Sequence, residues 1–138
     1  MRINPYLIFN GTTEAAFKFY ERVLKGKIIA MMPFGETPAC EHVPADFRDK
    51  IMHASLEVGN QRIMASDNNP AFPYDGIKGT SVALHFTEVA EAERVFNELS
   101  DGAQAVTMPM QETFWAVRFG MLTDKFGTPW IINCEKGA

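Results

Sequence analysis

Two histidines lie in apolar stretches of this 138-residue chain, where a side chain able to exchange a proton near neutral pH would be held in place. His53 lies within residues 51–56, and His85 lies near the end of residues 81–87. Each could line a ligand site, and each could instead be an ordinary strand histidine that hydrogen-bonds a neighbour. The third histidine, His42, lies in a proline-rich loop, and we expect it to face solvent.

Carboxylates could orient these histidines, as general acid–base catalysis requires. His53 could pair with Asp67, and His85 could pair with Glu57, although spacing alone defines neither pair. Asp67 directly precedes Asn68-Asn69-Pro70, and Asp side chains favour such turns. The sequence therefore favours a turn-capping role for Asp67 over a catalytic one.

Aromatic side chains are abundant, with eleven Phe, three Tyr and two Trp, and such residues both fill cores and line apolar pockets. Within residues 114–123, Trp115 and Phe119 have the same parity as Val117 and Met121, so the four share one face of a predicted strand. We expect this face to pack in the core at Phe119 and Met121. Trp115 either joins them or stacks on a planar ligand.

Charge and cysteine content narrow the class of protein. The chain has 13 basic and 17 acidic residues, with no Lys/Arg cluster longer than two, so nucleic acid and anionic membranes are poor candidates as partners. Cys40 and Cys134 do not make a disulfide framework, and no signal-peptide or transmembrane run is evident. We expect a cytoplasmic location.

Apolar periodicity and turn residues predict the order of helices and strands. Helices are predicted over residues 13–24 and 89–99. Strands are predicted over residues 4–10, 27–33, 51–58, 62–66, 81–87, 105–110, 114–123 and 128–134. Gly59-Asn60 predicts a hairpin, and residues 34–49 form a long loop of the kind that often contacts a partner.

The two halves repeat. Sliding the sequence by 76 residues pairs Ala16 with Ala92, Phe19 with Val95, Tyr20 with Phe96, Val23 with Leu99, and the stop glycines Gly26 and Gly102. We interpret the chain as an α+β protein made of two βαβββ modules. It is predicted to be a single domain over 1–138, with module one at 1–67, a connector at 68–80 and module two at 81–138. Curved mixed sheets would enclose a cleft suited to a ligand.

Several motifs agree in order and spacing with a known group. They are PYLIFNG, Phe19-Tyr20, Met52-His53-Ala54, Met64-Ala65-Ser66-Asp67 and the run Phe119-Gly120…Asp124…Phe126-Gly127…Trp130. These resemble the vicinal oxygen chelate superfamily, and most closely its PhnB-like branch, often labelled 3-demethylubiquinone-9 3-methyltransferase-like. The resemblance implies the glyoxalase/bleomycin resistance/dioxygenase fold and a homodimer.

Metal-dependent members of that superfamily hold a divalent ion with four side chains, typically His, Glu or Gln, from the first and last strand of each module. The resemblance places these positions at Pro5, Met64, Ser81 and Ile131. Pro and Ile offer no donor, Met is a weak one, and Ser alone would not hold an ion. We therefore predict no metal and no cofactor.

The cleft would instead be lined by the remaining side chains of the strands. If Pro5 faces the cleft, strand alternation turns Leu7 and Phe9 the same way, and it turns Ala83 and His85 the same way in module two. No catalytic residue is assigned. The predicted ligand-binding residues are Phe9, His53, His85, Trp115 and Phe119.

The favoured function is a metal-independent small-molecule-binding protein of the PhnB-like group, with a small, partly aromatic or apolar ligand. One alternative is a glyoxalase- or dioxygenase-type enzyme with a displaced metal site that uses His53, His85, Glu57 or Asp67. The other is a methyltransferase-like activity, as the labels of the group imply. The sequence lacks the glycine-rich strand-to-helix turn typical of an S-adenosylmethionine site.

Overall fold

The computed structural model describes residues 1–136 and divides the chain into two compact units. Unit 1 is Met1–Gly76, and unit 2 begins at Ile77. Each unit has a four-stranded mixed sheet and one helix, which confirms the α+β class and the two βαβββ patterns. Within residues 1–136, neither helix is long and apolar enough to cross a membrane.

Unit 1 has the sheet order β1-β4-β3-β2, in which β1 is parallel to β4 and the other pairs are antiparallel. The predicted hairpin is confirmed, because Gly59 and Asn60 join the paired residues Val58 and Gln61. Gly59 has φ 60°, a conformation that glycine adopts readily. The elements are β1 (Tyr6–Phe9), α1 (Thr13–Leu24), β2 (Lys27–Pro33), β3 (Ile51–Val58) and β4 (Gln61–Asp67).

Unit 2 has the equivalent order β5-β8-β7-β6, again with one parallel pair, β5 with β8. Strand β7 begins at Ala116 rather than at the predicted residue 114, because the hydroxyl of Thr113 accepts the N–H groups of Trp115 and Ala116 in a turn. The elements are β5 (Val82–Phe86), α2 (Val89–Leu99), β6 (Ala105–Gln111), β7 (Ala116–Thr123) and β8 (Pro129–Glu135).

Each sheet has a helix face, which its own helix covers, and an opposite face that we call the far face. On β1, Leu7 and Phe9 are buried, and the ring of Phe9 packs against Tyr20 of α1. Tyr6 and Ile8 point to the far face and are exposed. The orientation predicted for β1 is therefore wrong, and Phe9 is a core residue of unit 1.

A one-residue difference in loop length explains this error. Three residues separate β1 from α1, whereas two separate β5 from α2. The helices match at 76 residues, but the buried Leu7 corresponds to Leu84 at a distance of 77 residues. Because strand side chains alternate, a shift of one residue reverses the face of every side chain.

The C-terminus of α1 also differs from the prediction. The left-handed residue at its C-terminus is Lys25, with φ 54°, and not Gly26. A Cβ at Gly26 would lie 2.6 Å from the carbonyl oxygen of Glu57, so this glycine permits the helix end to approach β3. At the N-terminus, no threonine side chain caps the helix, and Asp67 of β4 takes that role.

The long loop at residues 34–49 folds back onto unit 1. It consists of three short 3-10 turns, Phe34–Glu36, Pro38–His42 and Ala45–Phe47. Its two ends meet through hydrogen bonds from Phe34 N–H to Lys50 O and from Gly35 N–H to Arg48 O. The rings of Phe34 and Phe47 pack together, with their centroids 5.6 Å apart, and close the loop.

Candidate functional site

The far face of unit 2 brings three of the five predicted ligand-binding residues together. Strand register places Asn133 of β8 between His85 of β5 and Phe119 of β7. Trp115, just before β7, packs its ring edge against Phe119 with the centroids 5.2 Å apart. His85 and Phe119 therefore flank one position, which Asn133 occupies, and Trp115 extends this surface beyond Phe119.

The side chain of Asn133 is 7% exposed, although it lies on the far face. Its Nδ2 lies 3.2 Å from Nδ1 of His85, to which it donates when the imidazole carries its proton on Nε2. Its Oδ1 has no hydrogen-bond partner among residues 1–136. A buried amide oxygen without a donor is costly, so this atom is poised to accept one.

Glu135 extends the polar part of this surface. Its Oε1 lies 3.9 Å from Nδ1 of His85, and both side chains are largely exposed. Protonation of the imidazole would turn this approach into an ion pair. The sequence suggested Glu57 as the carboxylate partner of His85. Within unit 2 the carboxylate near His85 is that of Glu135, and within unit 1 Glu57 lies 3.8 Å from Arg62.

Aromatic rings form the other part of the surface. Phe114 and Trp115 are 88% and 45% exposed, and their rings meet edge-on at 4.7 Å. The turn at Thr113 holds both of them at the start of β7. Phe119, which we expected in the core, is only half-buried. Together the rings offer an apolar surface next to the amide of Asn133.

The far face of unit 1 carries different chemistry. The hydroxyl of Tyr6 lies 3.0 Å from Nδ1 of His53, and the two rings stack with their centroids 5.8 Å apart. Two residues along β3, the hydroxyl of Ser55 is buried without a hydrogen-bond partner in the described part of the chain. His53, a predicted ligand-binding residue, is thus paired with a tyrosine.

The predicted pairing of His53 with Asp67 is wrong. Asp67 is on the helix face, where Oδ1 accepts from the N–H and hydroxyl of Thr13 at 3.0 and 2.8 Å, and Oδ2 accepts from Ile51 N–H at 2.8 Å. Asp67 therefore joins the N-terminus of α1 to the start of β3. None of these contacts caps the turn into Asn68, which is the role that the sequence favoured for Asp67.

In the structure, as in the sequence, the side chains at the four expected ligand positions do not suit a metal ion. Register makes Tyr6 the neighbour of Met64 in unit 1, and Ala83 the neighbour of Ile131 in unit 2, in place of Pro5 and Ser81. A phenol and a thioether on one sheet, and two apolar side chains on the other, do not make a site for a divalent ion. Within residues 1–136, no three His, Cys, Asp or Glu side chains are grouped to hold a metal.

Sequence reasoning missed Tyr6, Ser55 and Asn133 as site residues. Alternation from Pro5 turns Tyr6 towards the helix, whereas the structure puts Tyr6 on the far face because of the one-residue shift. Asn133 has the same parity as Ile131, a position that the resemblance had already placed on the far face. Extending the alternation by two residues along β8 would have found it.

Comparisons with known proteins agree with this architecture. The family described as 3-demethylubiquinone-9 3-methyltransferase matches residues 1–133. Protein YjdN of Escherichia coli K12 is 36% identical and covers 99% of this chain and 97% of its own length. The crystal structure of protein PA1353 from Pseudomonas aeruginosa is 53% identical, with a TM-score of 0.91 and 99% of each chain covered.

Two more distant structures show the fold. The PhnB protein from Bacillus cereus is 22% identical, with a TM-score of 0.81 and coverage of 97% and 99% of the two chains. A glyoxylase/bleomycin resistance protein/dioxygenase domain from Frankia is 11% identical, with a TM-score of 0.63 and coverage of 98% and 95%. The resemblance that the sequence motifs indicated is confirmed. With its paired βαβββ units and a match over almost its whole length, the chain belongs to the 3-demethylubiquinone-9 3-methyltransferase family, with PhnB-like proteins among its structural neighbours.

Proposed function

We propose that the far face of unit 2 binds a small molecule that carries both a planar apolar group and a hydrogen-bond donor, and that it does so without a metal. The observation that carries this proposal is the buried Oδ1 of Asn133, which lacks a donor among residues 1–136. A ligand N–H or O–H would satisfy this oxygen, and leaving it unsatisfied costs about 1–3 kcal/mol.

The surroundings of Asn133 support the class of ligand. Phe119 and Trp115 present ring surface beside it, and aromatic contacts add to the binding of a planar group. His85 can donate from Nε2 to an acceptor on the ligand when Nδ1 accepts from Asn133. A small aromatic amide has this combination of a flat ring, a donor and an acceptor.

A screen of neutral aromatic amides such as benzamide and quinoline-2-carboxamide, followed by ¹H–¹⁵N NMR shifts, tests the proposal. We expect binding that persists in EDTA and is lost in Asn133→Ala. The matched control is Ser66→Ala, because Ser66 occupies the corresponding position on β4 of unit 1. Binding that disappears with EDTA, or that survives in Asn133→Ala, contradicts the proposal.

The methyltransferase description of the family is not supported by the residues that would have to hold S-adenosylmethionine. The connection from β1 to α1 contains a single glycine, Gly11, and the N-terminus of α1 is already occupied by the carboxylate of Asp67. The connection from β5 to α2, Thr87-Glu88, has no glycine and ends in a carboxylate side chain. Neither helix start offers free N–H groups beside a flexible glycine loop.

We also propose that the chain acts as a cytoplasmic homodimer. The cysteines Cys40 and Cys134 are free thiols, which suits a reducing compartment. The dimer is an expectation from the vicinal oxygen chelate resemblance. Light scattering of the purified protein at micromolar concentration should give twice the chain mass of 15.5 kDa, and a monomer mass would contradict the dimer.

A further inference from the structure

Tyr6 and His53 form a hydrogen-bonded pair of titratable groups on the far face of unit 1. Their polar atoms are 3.0 Å apart, and the side chain of Tyr6 is 45% exposed. Tyr6 is on β1 and His53 on β3, so the hydrogen bond passes over β4, which lies between those strands. Since its members are accessible, the pair can meet a small molecule on this face.

Ser55 provides an independent indication of a ligand. Ser55 is 4% exposed, and its hydroxyl has no hydrogen-bond partner within residues 1–136. Register places Ser55 beside Met64, and Met64 beside Tyr6, so the three residues form one row across the far face. Buried hydroxyls are nearly always hydrogen-bonded, and a bound oxygen or N–H would complete this one.

The charged groups that register places on this face are Lys27, Glu57 and Arg62, which lie together at one end of it. Glu57 lies 3.8 Å from Arg62, on the side of Ser55 away from His53. Beside Tyr6, the register places Ile8, Met64 and Ser66 on the same face, and none of the three is charged. A neutral substrate therefore suits this surface better than a charged one.

We propose that Tyr6 and His53 relay protons in the keto–enol tautomerisation of a neutral 1,3-dicarbonyl compound. The inference goes beyond the ligand binding proposed for unit 2 and uses none of its residues. The relay starts with the imidazole proton on Nδ1, which donates to the Tyr6 oxygen and leaves Nε2 as the base.

The step balances without a metal or a second reactant. Nε2 of His53 takes the proton from the carbon between the two carbonyls, and the C–H electron pair becomes the carbon–carbon double bond of the enol. Tyr6 gives its hydroxyl proton to one carbonyl oxygen, and Nδ1 returns a proton to Tyr6. The histidine ends with its proton on Nε2, and ketonisation reverses each transfer. The hydroxyl of Ser55 donates to the second carbonyl oxygen.

Acetylacetone and 1-phenyl-1,3-butanedione are suitable probes, because the enol absorbs in the ultraviolet and exchange of the central C–H in D₂O is visible by NMR. We expect the complete protein to accelerate both processes over buffer, and Tyr6→Phe and His53→Asn each to lower the acceleration at least tenfold. The double variant should be no worse than either single variant, because the two groups act as one relay. His42→Asn, which removes an exposed loop histidine, should keep the full rate.

Additive losses in the double variant, or an unchanged rate in Tyr6→Phe, would overturn the relay and indicate plain imidazole catalysis. The wild-type protein gives a second test that does not depend on the folding of a variant. The ¹⁵N shifts of the His53 ring should show both neutral tautomers exchanging. A ring with its proton fixed on Nε2 would overturn the proposal.

Discussion

The two units have the same strand order and yet carry different side chains at equivalent positions of their far faces. By the strand registers, the equivalent pairs are Tyr6 and Ala83, Ile8 and His85, His53 and Phe119, Met64 and Ile131, and Ser66 and Asn133. The far-face histidine of unit 1 is on β3, whereas that of unit 2 is on the edge strand β5. These differences are the basis for proposing proton exchange on one sheet and a flat ligand on the other.

The helix faces differ much less. Ala16, Phe19, Tyr20 and Val23 of α1 match Ala92, Val95, Phe96 and Leu99 of α2, and all eight are buried. Packing density in the interior penalises changes of volume, so these positions hold the backbone in place. The far faces carry no such constraint from their own helix, and this allows the two units to differ in chemistry.

One buried position breaks the likeness of the helix faces. Asp67 pairs with Phe9 on β1, and its counterpart in unit 2, Cys134, pairs with Phe86 on β5. Asp67 accepts three hydrogen bonds, and Asp67→Ala removes the acceptor from three buried donors. We expect the free energy of unfolding to fall by about 3 kcal/mol or more.

Urea denaturation followed by two signals measures this effect. Both tryptophans, Trp115 and Trp130, belong to unit 2, whereas far-ultraviolet circular dichroism reports both units. Cys134→Ala is the matched control, and it should cost about 1 kcal/mol, since it removes only a small buried side chain. Equal losses in the two variants would show that Asp67 is no anchor.

The helices and strands could be predicted well from the sequence, because each helix is recognised by its own spacing of apolar residues, such as Phe19, Tyr20 and Val23 in α1. The Asp67 contact was beyond such reasoning, since 54 residues separate it from Thr13. The face of Phe9 was missed because the repeat was counted as if both β–α connections had equal length. Alternation from Ile131 could have indicated the face of Asn133, but its place between His85 and Phe119 depends on the register of three strands, which local pattern does not give.

Gly26 and Gly102, which match in the repeat, are glycines for different reasons, so their substitution should affect stability differently. Gly26→Ala would place a Cβ 2.6 Å from Glu57 O, so the backbone must shift, at a cost of about 2–3 kcal/mol. Gly102 has φ 69°, with only the flexible Lys125 side chain close by, so Gly102→Ala should cost about 1 kcal/mol of backbone strain. Urea midpoints of the two variants compare them, and a larger loss at Gly102 would reverse this assignment.

Exchanging the residues that differ between the far faces tests whether His85 gives unit 2 its binding property. His85→Ile gives this position the residue type of the equivalent Ile8 and removes the hydrogen-bond partner of Asn133. We expect an aromatic amide found in the screen to bind about tenfold more weakly. Folding stability should fall by about 1 kcal/mol, because Nδ2 of the buried Asn133 loses its hydrogen-bond partner. The reciprocal Ile8→His should leave this affinity unchanged. Isothermal titration calorimetry measures both, and equal affinities would assign binding to other residues.

Tyr74 joins the segment after β4 to unit 1, by donating its hydroxyl to the carbonyl oxygen of Ile8 at 2.9 Å on the edge strand β1. Burial, and then the negative charge of Asp67, raise the pKa of Tyr74 above its usual value of 10.0. The unfolded chain therefore ionises this phenol first, so its contribution to stability is complete below pH 10 and is lost as pH rises through the raised pKa. Tyr74→Phe should cost about 1 kcal/mol at pH 7, through the lost hydrogen bond.

The difference between wild type and Tyr74→Phe should then shrink as the pH passes 10, since only the wild type carries this ionisation. Urea midpoints collected from neutral pH upward follow the trend, with Phe72→Leu as a variant of the same segment that has no phenol to ionise. That control should keep a constant difference from wild type. A constant difference for Tyr74→Phe as well would mean that the phenol is equally solvated in the folded and unfolded chain, and that the segment is held to β1 by its backbone contact from Asn68 N–H to Phe9 O.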